Sequence, residues 1–194
     1  MQINPEIQKL LQRLTEGNKR FYSSKMIHPN QDLQRRQELT NGQKPFAIII
    51  GCSDSRISPE VIFDQGLGDL FVIRVAGNII DDVALGSIEY AAEHLETHLI
   101  MVLGHSKCGA VTATVQGGHM SGHIVSIADA IKPSIDKAKN LSGDLTDNTI
   151  KMNARSVAEQ IQASQPILAE MFGQGRIAVV SAYYDVDTGE VTLL

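Results

Sequence analysis

Five residues in two short stretches carry the chemistry available to this sequence. In IIIGCSDSR (48–56) an apolar run ends at a glycine and is followed by Cys52, Asp54 and Arg56. In LGHSKCG (103–109) a second apolar run ends the same way and is followed by His105 and Cys108. An imidazole and a thiol three residues apart can face one ion, and two thiolates with one imidazole match the ligand chemistry of zinc. Three protein ligands leave a fourth position open for water, as catalytic zinc sites do. No third cysteine is present to close the site. Asp54 could close it, but Arg56 could instead pair with that carboxylate and hold it as a hydrogen-bond acceptor beside the open position. On spacing alone other readings stand beside this one: two buried free thiols, a disulfide closing a long loop, or a redox pair. An Asp and an Arg two apart in a loop are commonly a solvated surface pair. His119 and His123 in GGHMSGH are four apart and titrate near neutrality, so they could shuttle protons or bind a second metal. The surrounding glycines and serine favour a mobile, solvated loop instead. His94 and His98 read as helix-end residues.

The elements that must position these groups follow from hydrophobic patterning. FAIII (46–50), LFVIRV (70–75), LIMVL (99–103) and IAVVSAYY (177–184) are short apolar runs rich in β-branched residues, as buried strands are. Between and after them, DDVALGSIEYAAEHLE, GAVTATV, IVSIADAIKPSIDKAKN and NTIKMNARSVAEQIQASQPILAEMF read as helices. The alternation predicts an α/β fold with a mainly parallel central sheet covered by helices on both faces. A turn at Asp187 to Gly189 leads into one more short strand, antiparallel at an edge. At the start, Asn4 and Pro5 open an amphipathic helix with Ile7, Leu10, Leu11 and Leu14 on one stripe. A polar segment with a short helix around 32–39 separates it from the first strand. Cys52 and His105 both stand where a parallel strand ends, the side on which open α/β sheets bind ligands. Cys108 stands where a helix begins, which favours the thiolate.

Composition sets the outer limits. At 194 residues and 43% hydrophobic content the chain suits one domain over 1–194. A net charge of −5 with both signs interspersed argues against nucleic acid or an anionic membrane as the main partner. No window reaches the apolar length of a membrane span, and MQINPEIQKL lacks the basic-then-apolar pattern of a secretory signal, so a cytoplasmic address is expected.

CSDSR (52–56) and GHSKCG (104–109) resemble the two signatures of the β-class carbonic anhydrases. The similarity extends through LTEGNKRF, IFDQGLGDLFVIRVAGN, GSIEYA and YYDVDTG, most of the chain. The resemblance implies one zinc ion per chain on Cys52, His105 and Cys108, with Asp54 and Arg56 as a catalytic dyad. It implies a substrate pocket at Gln43, Phe71, Ala76, Tyr90 and Gly109, some of it donated by a neighbouring subunit; Ala76 stands where the family often has valine. The implied reaction is reversible hydration of carbon dioxide to bicarbonate and a proton by a metal-bound hydroxide. The implied assembly is a homodimer or a dimer of dimers, with residues 1–44 as a helical arm over the partner. Relatives of the same fold hydrolyse carbon disulfide or carbonyl sulfide, and a noncatalytic zinc-binding regulator is a further alternative. Some β-class enzymes close by moving the motif aspartate onto zinc as fourth ligand, which would be Asp54 here. In one subgroup bicarbonate promotes closure from a pocket built around a tryptophan, an arginine and a tyrosine. Arg74 matches that arginine, but Ile49 occupies the tryptophan's place.

Overall fold

In the computed structural model, which describes residues 4–194, four parallel strands and one antiparallel strand form a single sheet. The strands are β1 (Ala47–Gly51), β2 (Leu70–Arg74), β3 (Leu99–His105), β4 (Ala178–Tyr184) and β5 (Val191–Leu193), in the order β2-β1-β3-β4-β5. β1 pairs in parallel with both β2 and β3, β3 in parallel with β4, and β4 antiparallel with β5. Because β1 and β3 are neighbours, their carboxyl ends open together; the sequence predicts parallel strands but not which of them lie side by side.

Alternation along the strands builds two cores. Ile48, Ile50, Ile100 and Val102 face one layer, formed by α4 (Asp82–Glu93), α7 (Leu145–Ala163) and α8 (Ile167–Gly173). Ala47, Ile49, Leu99, Met101 and Leu103 face the other, where α1 (Pro5–Tyr22) and α3 (Pro59–Ile62) lie. The apolar stripe of α1 is therefore not left bare. Ile7 and Leu14 are buried on the chain's own sheet, while Leu10 and Leu11 pack half-buried around them. The long helical stretch expected over 148–172 is two helices, because Pro166 ends the run and α8 restarts after it. His94 caps α4, but His98 sits beyond the helix, where its carbonyl accepts from Ala178 ahead of β3. No helix among the described residues is long and apolar enough to cross a membrane.

Two buried carboxylates fasten the polar segment after α1, which carries the short helix α2 (Leu33–Glu38), to the body. Asp69 accepts hydrogen bonds from Arg13, Asn30 and the amide of Gly66. Asp64 accepts from Arg20 Nε at 2.6 Å and from the amides of Ile27 and His28. Burial pushes the Asp64 carboxyl up, but the Arg20 guanidinium and the two amides outweigh it and hold it below the usual range. With its folded pKa lowered, this carboxylate stabilises the fold fully above the unfolded value of about 4, and the contribution is lost as pH falls below it. Asp64→Asn is expected to cost roughly 3 kcal/mol, read as a lower urea midpoint at pH 7, since it leaves the Arg20 charge without its partner. An unchanged midpoint would show that the knot is not stabilising.

Candidate metal centre

The metal-binding candidates converge at the carboxyl end of the sheet. Cys52 is the first residue after β1, His105 the last of β3, and Cys108 the residue that caps α5 (Gly109–Gln116). Their ligand atoms all lie within 4.8 Å of one another, and all three residues are buried. Ligands around a tetrahedral zinc, at about 2.3 Å for sulfur and about 2.0 Å for nitrogen, stand about 3.5–4 Å apart, so small side-chain adjustments suffice. Among the described residues this is the one cluster of three or more such side chains. Cys108 reaches His105 through a tight turn in which Lys107 takes a left-handed φ of 57°, a conformation that a non-glycine residue adopts at a cost. Gly104 lets α7 pass close over the strand end: a Cβ there would stand 3.3 Å from that of Ala154.

Hydrogen bonds fix which atoms face the space between these three side chains. His105 Nδ1 lies 2.9 Å from the carbonyl oxygen of Ser106, which can only accept, so Nδ1 carries the proton. Nε2 is then a bare lone pair, buried and without any hydrogen-bond partner. An orphan acceptor beside two sulfurs fits zinc and has no role in a disulfide; both cysteines are free. The Cys108 thiol donating to it holds the Cys52 sulfur as thiolate far below the ordinary thiol range, against the opposing effect of burial and with help from the amides of Asp54 and Gly77. Those amides lie 3.4 and 3.2 Å from the sulfur. The Cys108 thiol is pushed up by that thiolate and by burial, against the opposing amides of Val111 and Ala110 at the start of α5.

The dyad is formed. Arg56 donates from Nε to Asp54 Oδ1 at 2.9 Å and from Nη2 to Oδ2 at 2.7 Å, and its amide adds a third bond to Oδ1. Nη2 also reaches the Lys107 carbonyl, tying the two motifs together. The Arg56 side chain holds the Asp54 carboxyl well below the usual carboxylate range. With both oxygens engaged by Arg56, Asp54 is not a metal ligand in this conformation.

The pocket residues divide. Ala76 opens the turn Ala76–Asn78, whose Gly77 amide touches Cys52, and Gly109 begins α5 directly after Cys108. Apart from its chain neighbours and its own helix backbone, no atom lies within 4 Å of where a Gly109 side chain would stand, so there is room beside Cys108. A cleft of about 720 Å³ opens there, bounded by Ser106, Lys107, Gly109, Asp147 and Tyr183. Phe71, Tyr90 and Gln43 are not brought to this chain's own metal centre. Phe71 pairs with Ile48, four residues and about 13 Å back along the sheet from Cys52. Tyr90, half exposed on α4, stacks beside Phe71 with ring centroids 6.5 Å apart. Gln43 is exposed and leads into the start of β1, the end away from Cys52. His119 and His123 are exposed in the loop before α6 (Ile124–Ala138). The contacts that sequence reasoning missed are backbone ones, the Gly77 amide and the Ser106 and Lys107 carbonyls, and only the glycine in VAGN gave any signal.

Comparison with known proteins gives the same picture. A family model described as carbonic anhydrase matches residues 47–191. The carbonic anhydrase of Mycolicibacterium smegmatis is 40% identical over 93% of this chain and 89% of that protein. Among solved structures, the β-carbonic anhydrase CcaA superposes with a TM-score of 0.75 at 30% identity, over 94% of each chain. A tetrameric β-carbonic anhydrase from the ascomycete Sordaria macrospora gives 0.75 at 25% identity, over 82% of this chain and 85% of that one.

Proposed function

The chain belongs to the β-class carbonic anhydrases, and on that footing we propose that it hydrates carbon dioxide reversibly to bicarbonate and a proton, with one zinc ion on Cys52, His105 and Cys108. The observation that carries this reading is the orphaned Nε2 of His105 beside two cysteine sulfurs and a carboxylate locked by Arg56. Zinc held there supplies a nucleophile by making water acidic enough to ionise near or somewhat above neutral pH, less readily than at a three-histidine site because two thiolates already neutralise its charge.

The protein's own part is orientation. Asp54, kept ionised by Arg56, can only accept, so it would take a hydrogen bond from the oxygen nucleophile and orient a lone pair of that oxygen toward the substrate carbon. The third hold of Arg56, on the Lys107 carbonyl, fixes that carboxylate to the turn bearing Cys108. Ala76 and Gly109 leave space for a small linear substrate. We assign Gln43, Phe71 and Tyr90 to the same pocket across a subunit boundary, in a homodimer or a dimer of dimers, which their distance from the chain's own ligands supports. Gln43 would donate to an oxygen as charge develops, and Phe71 would supply an apolar wall.

Metal analysis with stopped-flow carbon dioxide hydration tests site and reaction together. Parallel assays with carbon disulfide and carbonyl sulfide separate the hydrolase alternative, and turnover of either in place of carbon dioxide would overturn the proposal. Hydration activity is expected to climb as pH rises past neutrality. Asp54 is already ionised throughout that range, its carboxyl being depressed, so the rise reports proton loss from the nucleophile. A flat profile from about pH 6 to 9 would contradict this.

Bicarbonate is expected to inhibit without cooperativity. Ile49 is fully buried in the core and offers no indole donor for a buried anion. Arg74 spends Nε on the Cys52 carbonyl at 2.9 Å and Nη2 on that of Asp54 at 2.7 Å. Cooperative inhibition near pH 7.5 that vanishes in Arg74→Ala would refute this reading.

A further inference from the structure

A buried chain of hydrogen bonds runs from two helices to the sulfur of Cys52. The Gly77 amide donates to Cys52 Sγ at 3.2 Å. On the other side of the same residue, the Gly77 carbonyl accepts from Asn153 Nδ2 at 2.8 Å. Asn153 lies on α7, and its Oδ1 accepts from Ser134 Oγ of α6 at 3.4 Å. Since a carbonyl can only accept, the Asn153 amide must turn its nitrogen to Gly77 and its oxygen to Ser134. Cys52, Asn153 and Ser134 are exposed by 4%, 1% and 1%.

Gly77 holds a left-handed φ of 72°, and a Cβ there would stand 2.9 Å from Ile131 Cδ1, on the same face of α6 as Ser134. The two peptide units flanking its Cα are thus pinned separately, one on the sulfur and one on Asn153. Helix packing alone does not call for an amide at 153. Its neighbours Ile150, Ala154 and Val157 are apolar, and asparagine is a poor residue for a helix interior.

We infer that Asn153 is a positioning residue for the metal centre, with Ser134 orienting its amide: together they aim the Gly77 amide at Cys52 and so set how much electron density that thiolate gives to the metal. An N–H directed at a thiolate stabilises its lone pairs, which weakens donation and keeps the ion more acidic toward its other ligands. This rests on the zinc reading of Cys52, His105 and Cys108.

The test uses the full chain loaded with zinc or with cobalt(II), whose sulfur-to-metal charge-transfer band reads thiolate energy directly. Asn153→Ala is expected to shift that band to lower energy, because the sulfur donates more strongly, and to weaken zinc binding about tenfold, because Cys52 is less well held and its sulfur competes harder for a proton, measured by competition with a chromophoric chelator. Ser134→Ala should move both in the same direction by less. Ile161→Val, which loosens the buried face of α7 away from Gly77, should lower thermal stability and leave both unchanged. Wild-type band and affinity in the first two variants would overturn the assignment, as would the same shift in Ile161→Val. If Asn153→Ala does not fold, Ser134→Ala decides, and an unshifted band there overturns the inference. Failure of the wild-type protein to take up either metal would instead refute the zinc reading on which it rests.

Discussion

Cys108→Ala is expected to strip the protein of zinc and of hydration activity together. Cys108 is 1% exposed, and its sulfur sits at the start of α5, where the amides of Ala110 and Val111 favour its charge. It also donates to Cys52 and so holds that sulfur ionised. Alanine removes both the donor that holds Cys52 ionised and the sulfur that would become a thiolate ligand once a metal displaces its proton. Zinc affinity should fall by more than the ~10–100-fold that losing an outer hydrogen-bond partner costs, and turnover should fall to background. The fold should survive, because a small residue at this position disturbs neither the sheet nor α5. Metal content, circular dichroism and stopped-flow hydration on one preparation check all three. Wild-type zinc content and rate would refute the site.

Asp54→Asn separates binding from catalysis. The carboxylate is engaged by Arg56 through both oxygens and is not among the converging ligands, so zinc content should stay at one per chain. The change keeps shape and removes the charge, and it puts a donor where only acceptors now stand. Arg56 would then face an amide with one accepting atom, and the nucleophile would lose a partner that can only accept. Hydration is expected to drop by roughly 10²–10⁴-fold, the range for losing a positioned acid–base group. Unimpaired turnover would reduce the dyad to scaffolding. Loss of zinc along with activity would mean that Asp54 is itself a ligand in solution.

The sequence determined the class of fold and singled out Cys52, His105 and Cys108 as candidate ligands, because both rest on local pattern. Strands of this sheet are buried on both faces and so read as continuous apolar runs, and Cys52 and His105 follow such runs directly. Local pattern reaches less far where neighbours decide. Periodicity shows that one face of α1 is apolar but not what covers it; the chain's own sheet covers Ile7 and Leu14. Pro166 was visible inside a helical stretch and marks the break, but only the structure shows that the chain resumes as α8 with Leu168 and Met171 buried.

At the site, residue types were legible and atoms were not. That His105 turns Nε2 inward follows from the Ser106 carbonyl, a backbone group with no signature in sequence. That Gly77 serves Cys52 depends on Ile131, Ser134 and Asn153 arriving from helices 54 to 76 residues later in the chain. Gln43, Phe71 and Tyr90 carry a motif's identity, but strand register sets distance, and a parallel pairing of Ile48 with Phe71 fixes that ring four residues behind the metal ligand. Sequence names the groups a reaction needs; register, and the hydrogen bonds of a backbone folded over long separations, decide which of them one chain can bring together.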